Sequence, residues 1–80
     1  MQERYIRLFG GDDVRTFVRA ASKCDFDIDV NYNHVYVDGK SILGVLGLDL
    51  NRILTVSYDG YNEEFEAVMD RFEKQAHSAA

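Results

Sequence analysis

Short runs of alternating apolar and polar residues predict four strands. The strictest alternation precedes Asn33 and His34, and a second run follows that pair directly. Two runs joined by two turn-forming residues are typical of a β-hairpin. The four predicted strands span residues 3–9, 26–32, 35–37 and 53–58.

Apolar residues at helical spacing predict three helices. Asp12 or Asp13 is expected to cap the first helix, which ends near Lys23. A short helix is expected to begin at Ser41, and a long one precedes the C-terminal tail HSAA, which is expected to fray. The expected buried positions are Val14, Phe17, Val18 and Ala21 in the first helix and Phe65, Val68, Met69 and Phe72 in the last.

The order strand, helix, hairpin, short helix, strand, helix predicts an α+β fold with helices layered on one face of an antiparallel sheet. The chain has 80 residues, of which 46% are hydrophobic, as expected of one domain spanning residues 1–80. It has no apolar run long enough to cross a membrane, and charges stand where a signal peptide needs apolar residues. A cytoplasmic protein that does not bind membranes is therefore expected.

Net charge bears on the possible partners, and cysteine content bears on the redox compartment. Nine basic and fourteen acidic residues give a formal net charge of -5, so nucleic acid is not an expected partner. Cys24 is the only cysteine and cannot form an internal disulfide, which fits a reducing compartment. It is interpreted as a small core residue.

Residues 40–50, KSILGVLGLDL, are more apolar than one buried helical face requires. At 100° per residue, Val45 and Leu48 share one side of the predicted helix, while the remaining apolar side chains spread over a neighbouring arc. Two interpretations remain open from periodicity alone: a short, wholly buried helix, or a helix with one exposed binding patch. The side chains on the neighbouring arc are Ile42, Leu43, Leu46 and Leu50.

The motif KSILGVLGL, preceded by AASKCDFDIDVNYN and followed by ILTVSYDG, resembles the histidine-containing phosphocarrier HPr over about residues 14 to 74. The resemblance implies a βαββαβα open-faced sandwich, a four-stranded antiparallel sheet with three helices on one face. It also implies a role in the phosphoenolpyruvate-dependent sugar phosphotransferase system and an apolar docking patch on the short helix. Carried over by position, that patch is Ile42, Leu43 and Leu46.

The chain departs from this family just before the first helix. HPr carriers have a histidine there, followed closely by an arginine and a proline. Counting back from the ASK segment places Gly10 at the histidine position, Asp12 at the arginine position and Asp13 at the proline position. No catalytic residue is therefore expected, and two carboxylates would oppose an incoming phosphoryl group by charge repulsion.

Other candidate chemistry is limited. His34 lies in the predicted hairpin turn and His77 in the predicted tail, so both are interpreted as solvated imidazoles. Cys24, His34 and His77 show no metal-ligand spacing, and no metal or other cofactor is expected. Ser41 matches the serine that a dedicated kinase phosphorylates in some HPr proteins. It is equally interpreted as a plain helix cap.

Three hypotheses follow. The first is a non-enzymatic regulatory or adaptor protein that binds phosphotransferase-system components or a transcriptional regulator through the short helix. The second is an active phosphocarrier that uses Asp12, Asp13 or His34 as an unusual acceptor. The third is a self-association domain in which Ile42, Leu43 and Leu46 form a homodimer contact, so that a monomer or a weak homodimer is expected.

Overall fold

The computed structural model describes residues 1–78, which form four strands and three helices. In chain order the elements are β1 (Gln2–Ile6), α1 (Gly11–Ser22), β2 (Ile28–Tyr32), β3 (Val35–Asp38), α2 (Ile42–Leu46), β4 (Leu54–Tyr58) and α3 (Glu63–Ser78). All strand pairs are antiparallel, and the order across the sheet is β1-β4-β2-β3. The predicted α+β fold, a βαββαβα open-faced sandwich, is confirmed.

One face of the sheet carries the core, and the helices cover that face. Directly paired residues of antiparallel strands point to the same side, so the register groups the buried side chains of β1, β2 and β4 together. The predicted stripe of α1 is buried, and so is that of α3 except for Val68, which is partly buried. The strands contribute Ile6, Ile28, Val30, Leu54, Val56 and Tyr58.

Aromatic rings join the two long helices to the sheet. The ring of Phe65 on α3 lies edge-on to Tyr58 of β4 at 5.1 Å and to Phe17 of α1 at 6.0 Å. Phe26, which precedes β2, stacks on Tyr58 at 5.9 Å. Edge-to-face and offset-stacked pairs of this kind add to the stabilisation from buried area.

The C-terminal end of α3 differs from the expectation. The helix continues through His77 to Ser78, so the expected fraying is wrong for these two residues, and Ala79 and Ala80 lie outside the described residues. The physical reason is packing: Ala76 is buried, and the Gln75 side chain donates a hydrogen bond to the carbonyl of Arg7 at 2.7 Å. The last turns of α3 are therefore held against the connection between β1 and α1.

Arg4 joins the edge strand β1 to α3. Its guanidinium donates to Glu66 and Glu73 at 2.7 Å each and also pairs with Asp70. Burial alone would lower the pKa of Arg4, but the hydrogen bonds to Asp70 and Glu73 outweigh it and raise that pKa. Tyr58 donates to Glu66 at 2.7 Å, and burial followed by this hydrogen bond raises the pKa of Tyr58 to about 12. Arg4 thus pairs with three carboxylates of α3, one of which also accepts a hydrogen bond from Tyr58.

Replacing Arg4 with methionine should lower the free energy of unfolding by about 1–3 kcal/mol, because it leaves three carboxylates close together without their cation. Urea denaturation at neutral pH measures this. The matched control is Arg15→Met, which removes an exposed pair with Asp12 and should change stability by less than about 0.5 kcal/mol. Equal effects of the two substitutions would contradict the role given to Arg4.

Candidate functional site

Helix α2 has one buried and one exposed side. Val45 is 0% exposed and Leu48, just after the helix, is 5% exposed. The α2 patch, defined as Ile42, Leu43 and Leu46, faces solvent with exposed fractions of 40%, 80% and 45%. The interpretation of a wholly buried helix is therefore wrong. The sequence could not decide this, because an apolar side chain has the same period whether a neighbour covers it or not.

Gly44 brings the buried side of α2 close to β3. A Cβ atom added at Gly44 would lie 3.3 Å from Cβ of Val37, and tighter contacts than this are rare. The glycine weakens the helix by about 1 kcal/mol relative to alanine, whereas a Cβ atom here would require Val37 or the Ser41 side chain to shift by a few tenths of an ångström. Helix α2 therefore packs closely against β3 at Gly44, and the α2 patch faces solvent.

Ser41 caps α2, as the sequence predicted. Its backbone is extended, and its Oγ accepts a hydrogen bond from the backbone N–H of Gly44 at 3.1 Å. The backbone N–H of Ser41 donates to the carbonyl of Asp38 at 3.0 Å, which fixes the connection from β3. The half-exposed hydroxyl lies next to Ile42, the first residue of the α2 patch.

The start of α1 differs from the predicted cap. Gly10 occupies the N-cap position, and neither Asp12 nor Asp13 caps the helix. The φ angle of Gly10 is 90° with ψ at -174°, a conformation that is almost restricted to glycine because a Cβ atom would strain it. An added Cβ would meet nothing within 4 Å, so backbone conformation rather than lack of space selects glycine here.

Asp13 has a structural role that the sequence analysis missed. It is 8% exposed, and its carboxylate accepts hydrogen bonds from the backbone N–H of Phe9 at 2.8 Å and from Gln75 at 3.1 Å. Arg71 approaches the same carboxylate at 3.5 Å. An acidic residue three positions after an N-cap, reaching back to the preceding backbone, resembles a capping box and was the signal available in the sequence.

Of the two carboxylates at the start of α1, only that of Asp12 reaches the surface. Its side chain is 91% exposed and pairs with Arg15. The carboxylate of Asp13 is turned inward onto α3, as its hydrogen bonds require. Of the two carboxylates expected to oppose an incoming phosphoryl group, only Asp12 is therefore placed to meet it at the surface.

Arg7 joins the start of α1 to the segment after α2. Its Nε donates to the carbonyl of Leu50 at 3.2 Å, and its guanidinium lies 5.3 Å from the centre of the Phe9 ring. Phe9 precedes Gly10 and is half-exposed. Arg7, near the start of α1, and Leu50, in the segment after α2, therefore lie close together. They are 43 positions apart in the sequence, so no local pattern predicts this contact.

Neither histidine lies at the start of α1. His34 is exposed in the hairpin turn after Asn33, whose φ angle is 52°. His77 is exposed on the face of α3 that carries Asp70 and Lys74, beside Arg4. Within residues 1–78, no group of histidine, cysteine and acidic side chains is arranged to hold a metal ion.

Cys24 is a core residue, as predicted. It is 5% exposed, its Sγ lies 3.6 Å from the carbonyl of Ala20, and burial raises the pKa of its thiol.

No helix in the part of the chain that the structure describes is long and apolar enough to cross a membrane.

Comparison with known families identifies the chain. The family described as the PTS HPr component phosphorylation site matches residues 14–77, which include β2 to β4, Ser41 and the whole α2 patch. The chain belongs to the HPr family. The resemblance drawn from the KSILG motif is thereby confirmed. Proteins of the HPr family are phosphocarriers rather than catalytic enzymes.

A solved structure has the same fold as this HPr-family protein. The crystal structure of the phosphocarrier protein HPr from Bacillus anthracis str. Ames superimposes with a TM-score of 0.67 at 20% sequence identity, covering 89% of this chain and 95% of that chain. At this identity the similarity concerns the fold. The family match begins after Gly10, Asp12 and Asp13, so their assignment to the histidine, arginine and proline positions comes from counting along the sequence.

Substituting Gly10 with alanine should lower the free energy of unfolding by about 1–3 kcal/mol, because a Cβ atom strains the positive-φ backbone. Thermal or urea denaturation measures the loss. Gly11→Ala is the matched control: its Cβ would meet only the Arg15 side chain at 3.6 Å, and alanine favours the helix by up to about 1 kcal/mol. If both variants are equally stable, backbone conformation does not explain Gly10.

Proposed function

We propose that this HPr-family protein is a cytoplasmic regulatory or adaptor protein of the bacterial phosphotransferase system that receives no phosphoryl group on histidine. The observation that carries the proposal is the α2 patch, three apolar side chains kept at the surface of a helix that is otherwise anchored in the core. Proteins of the HPr family interact with other proteins of that system. We propose such a component, or a transcriptional regulator, as the partner.

The start of α1 supports the absence of histidine phosphorylation. The backbone at Gly10 has a conformation that a histidine would adopt only with strain. The exposed carboxylate of Asp12 is paired with Arg15, so it offers an approaching phosphoryl group no free positive charge. Asp13 is buried and hydrogen-bonded, which makes it a poor alternative acceptor. These features fit a protein that has kept the docking surface of its family without the transfer chemistry.

The chemistry of the α2 patch fits an apolar groove on a protein partner. Leu43 projects furthest, with most of its side chain in water, and Ile42 and Leu46 flank it one turn of helix apart. Burial of such side chains contributes about 25 cal/mol per Å² of apolar surface removed from water. Because Gly44 lies close to β3 and Val45 is buried in the core, the helix backbone is already ordered and loses little conformational freedom on binding.

We propose Ser41 as the site that regulates this docking. A phosphate on its oxygen would add almost two negative charges directly beside Ile42 and would convert the Oγ that now accepts from Gly44 into an ester oxygen. Charge placed at the edge of an apolar patch disfavours burial in an apolar groove and favours a partner with basic side chains. Phosphorylation would in this way change the preferred partner.

Mass spectrometry tests the absence of histidine phosphorylation. After incubation with phosphoenolpyruvate and the general phosphotransfer enzyme of a phosphotransferase system, the intact mass should stay unchanged. An acid-labile phosphoryl group on the chain would contradict the proposal, and mapping it to Asp12, Asp13 or His34 would establish an active carrier instead.

In a parallel arm with ATP and the family's serine kinase, one phosphoryl group is expected on the wild type and none on Ser41→Ala.

A competition assay tests docking through α2. The wild type should inhibit phosphorylation of an authentic HPr by the general phosphotransfer enzyme, because it occupies the same docking surface without accepting the phosphoryl group. Leu43→Ser should weaken this inhibition about tenfold, which corresponds to loss of one well-buried apolar side chain. The matched control is Tyr61→Ser, which replaces an equally exposed large side chain outside α2 and should leave inhibition unchanged.

Undiminished inhibition by Leu43→Ser would contradict docking through α2. Sedimentation of the wild type and of Leu46→Asp separates docking from self-association. A dimer that Leu46→Asp dissociates would assign the α2 patch to a homodimer contact instead of a partner.

A further inference from the structure

The sheet face opposite the helices forms a second surface with its own chemistry. The strand register places two rows of side chains across all four strands on this face. No helix covers the rows within the part of the chain that the structure describes, and their side chains are exposed or half-exposed. From β1 to β3, one row is Glu3, Ser57, Asp29 and Asp38, and the next is Tyr5, Thr55, Asn31 and Tyr36.

The first row carries negative charge that the protein does not balance. Asp29 and Asp38 are direct partners on neighbouring strands, and like charges in that arrangement destabilise a sheet. Within residues 1–78, the carboxylate of Asp38 accepts one hydrogen bond, from the backbone N–H of Lys40 at 2.9 Å. Among residues 1–78, neither these two aspartates nor Glu3 takes part in an ion pair. Asp29 and Asp38 therefore repel each other across the two strands and do not stabilise the sheet.

The second row adds two exposed aromatic rings. Tyr5 on β1 and Tyr36 on β3 are 51% and 67% exposed and stand at the two outer strands. Tyr5 also donates to Glu3 at 3.3 Å, which links the two rows. A tyrosine face attracts guanidinium and ammonium groups, and this protein already uses the contact internally, with Arg52 5.4 Å from the ring centre of Tyr32.

We propose that this open sheet face binds an arginine- or lysine-rich segment of a partner protein. Carboxylates in one row and tyrosine rings in the next supply the two kinds of contact that basic side chains make, and neither row contains a basic side chain. Three strand spacings make the face about 14 Å wide. An extended segment of about five residues crosses it. Nucleic acids and anionic membrane surfaces would be repelled by the same charges.

This surface is distinct from the α2 patch. Helix α2 packs on the other side of β3, through Gly44 and Val37. The inference therefore goes beyond the docking role proposed for α2, and either can fail without the other.

A titration with a labelled heptaarginine peptide at low salt tests the proposal. Asp29→Asn/Asp38→Asn should weaken peptide binding at least about fivefold, as expected for two carboxylate contacts. The matched control is Glu63→Gln/Glu64→Gln on α3, which changes the net charge by the same amount and should weaken binding less than about twofold. Equal losses in the two variants would overturn the proposal, because net charge alone would then explain the binding.

Two further readouts remove the ambiguity of a folding defect. The sheet variant relieves the repulsion between Asp29 and Asp38, so its Tm should stay equal to that of the wild type or rise while its peptide affinity falls. In a ¹⁵N-labelled sample, the peptide should shift the amide signals of the two rows. Shifts confined to α3 would overturn the proposal.

Discussion

Helix α2 packs against both α1 and β3, and the exposed α2 patch depends on this packing. Gly44 allows the helix backbone to approach Val37, and Val45 and Leu48 then enter the core. A helix anchored along one side has to show its other side to water, and in this sequence that side is apolar as well. The exposed patch therefore follows from how the helix packs. The Ser41 cap satisfies the backbone N–H of Gly44 and so stabilises the first turn of this short helix.

The start of α1 has become structural. Gly10 gives the chain the positive φ angle that the turn needs, and Asp13 fastens the turn to the C-terminal part of α3 through Gln75 and Arg71. A helix N-terminus can bind phosphate when its environment is open and electropositive. Here the exposed charged side chains are Asp12 and Arg15, which pair with each other, and the region stabilises the fold instead.

Charge is distributed unevenly between the two faces of the sandwich. On the helical side, Arg4 gathers three carboxylates of α3, and smaller pairs involve Arg15, Lys23 and Arg71. The open face of the sheet has carboxylates with no such partners among the described residues. Glu3, Asp29 and Asp38 on the open face therefore carry negative charge that can act on a partner rather than on the fold.

The sequence by itself determined the element order, the buried stripes of α1 and α3, the Ser41 cap and the family, because periodicity, capping and short motifs are local properties. It also indicated that α2 had more apolar residues than one face needs. Only the tertiary structure decided that Ile42, Leu43 and Leu46 are exposed, that Asp13 is buried, and that Asp29 and Asp38 meet across two strands. Each of these depends on contacts between distant residues, such as Gly44 against Val37 or Gln75 against Asp13, which no local pattern specifies.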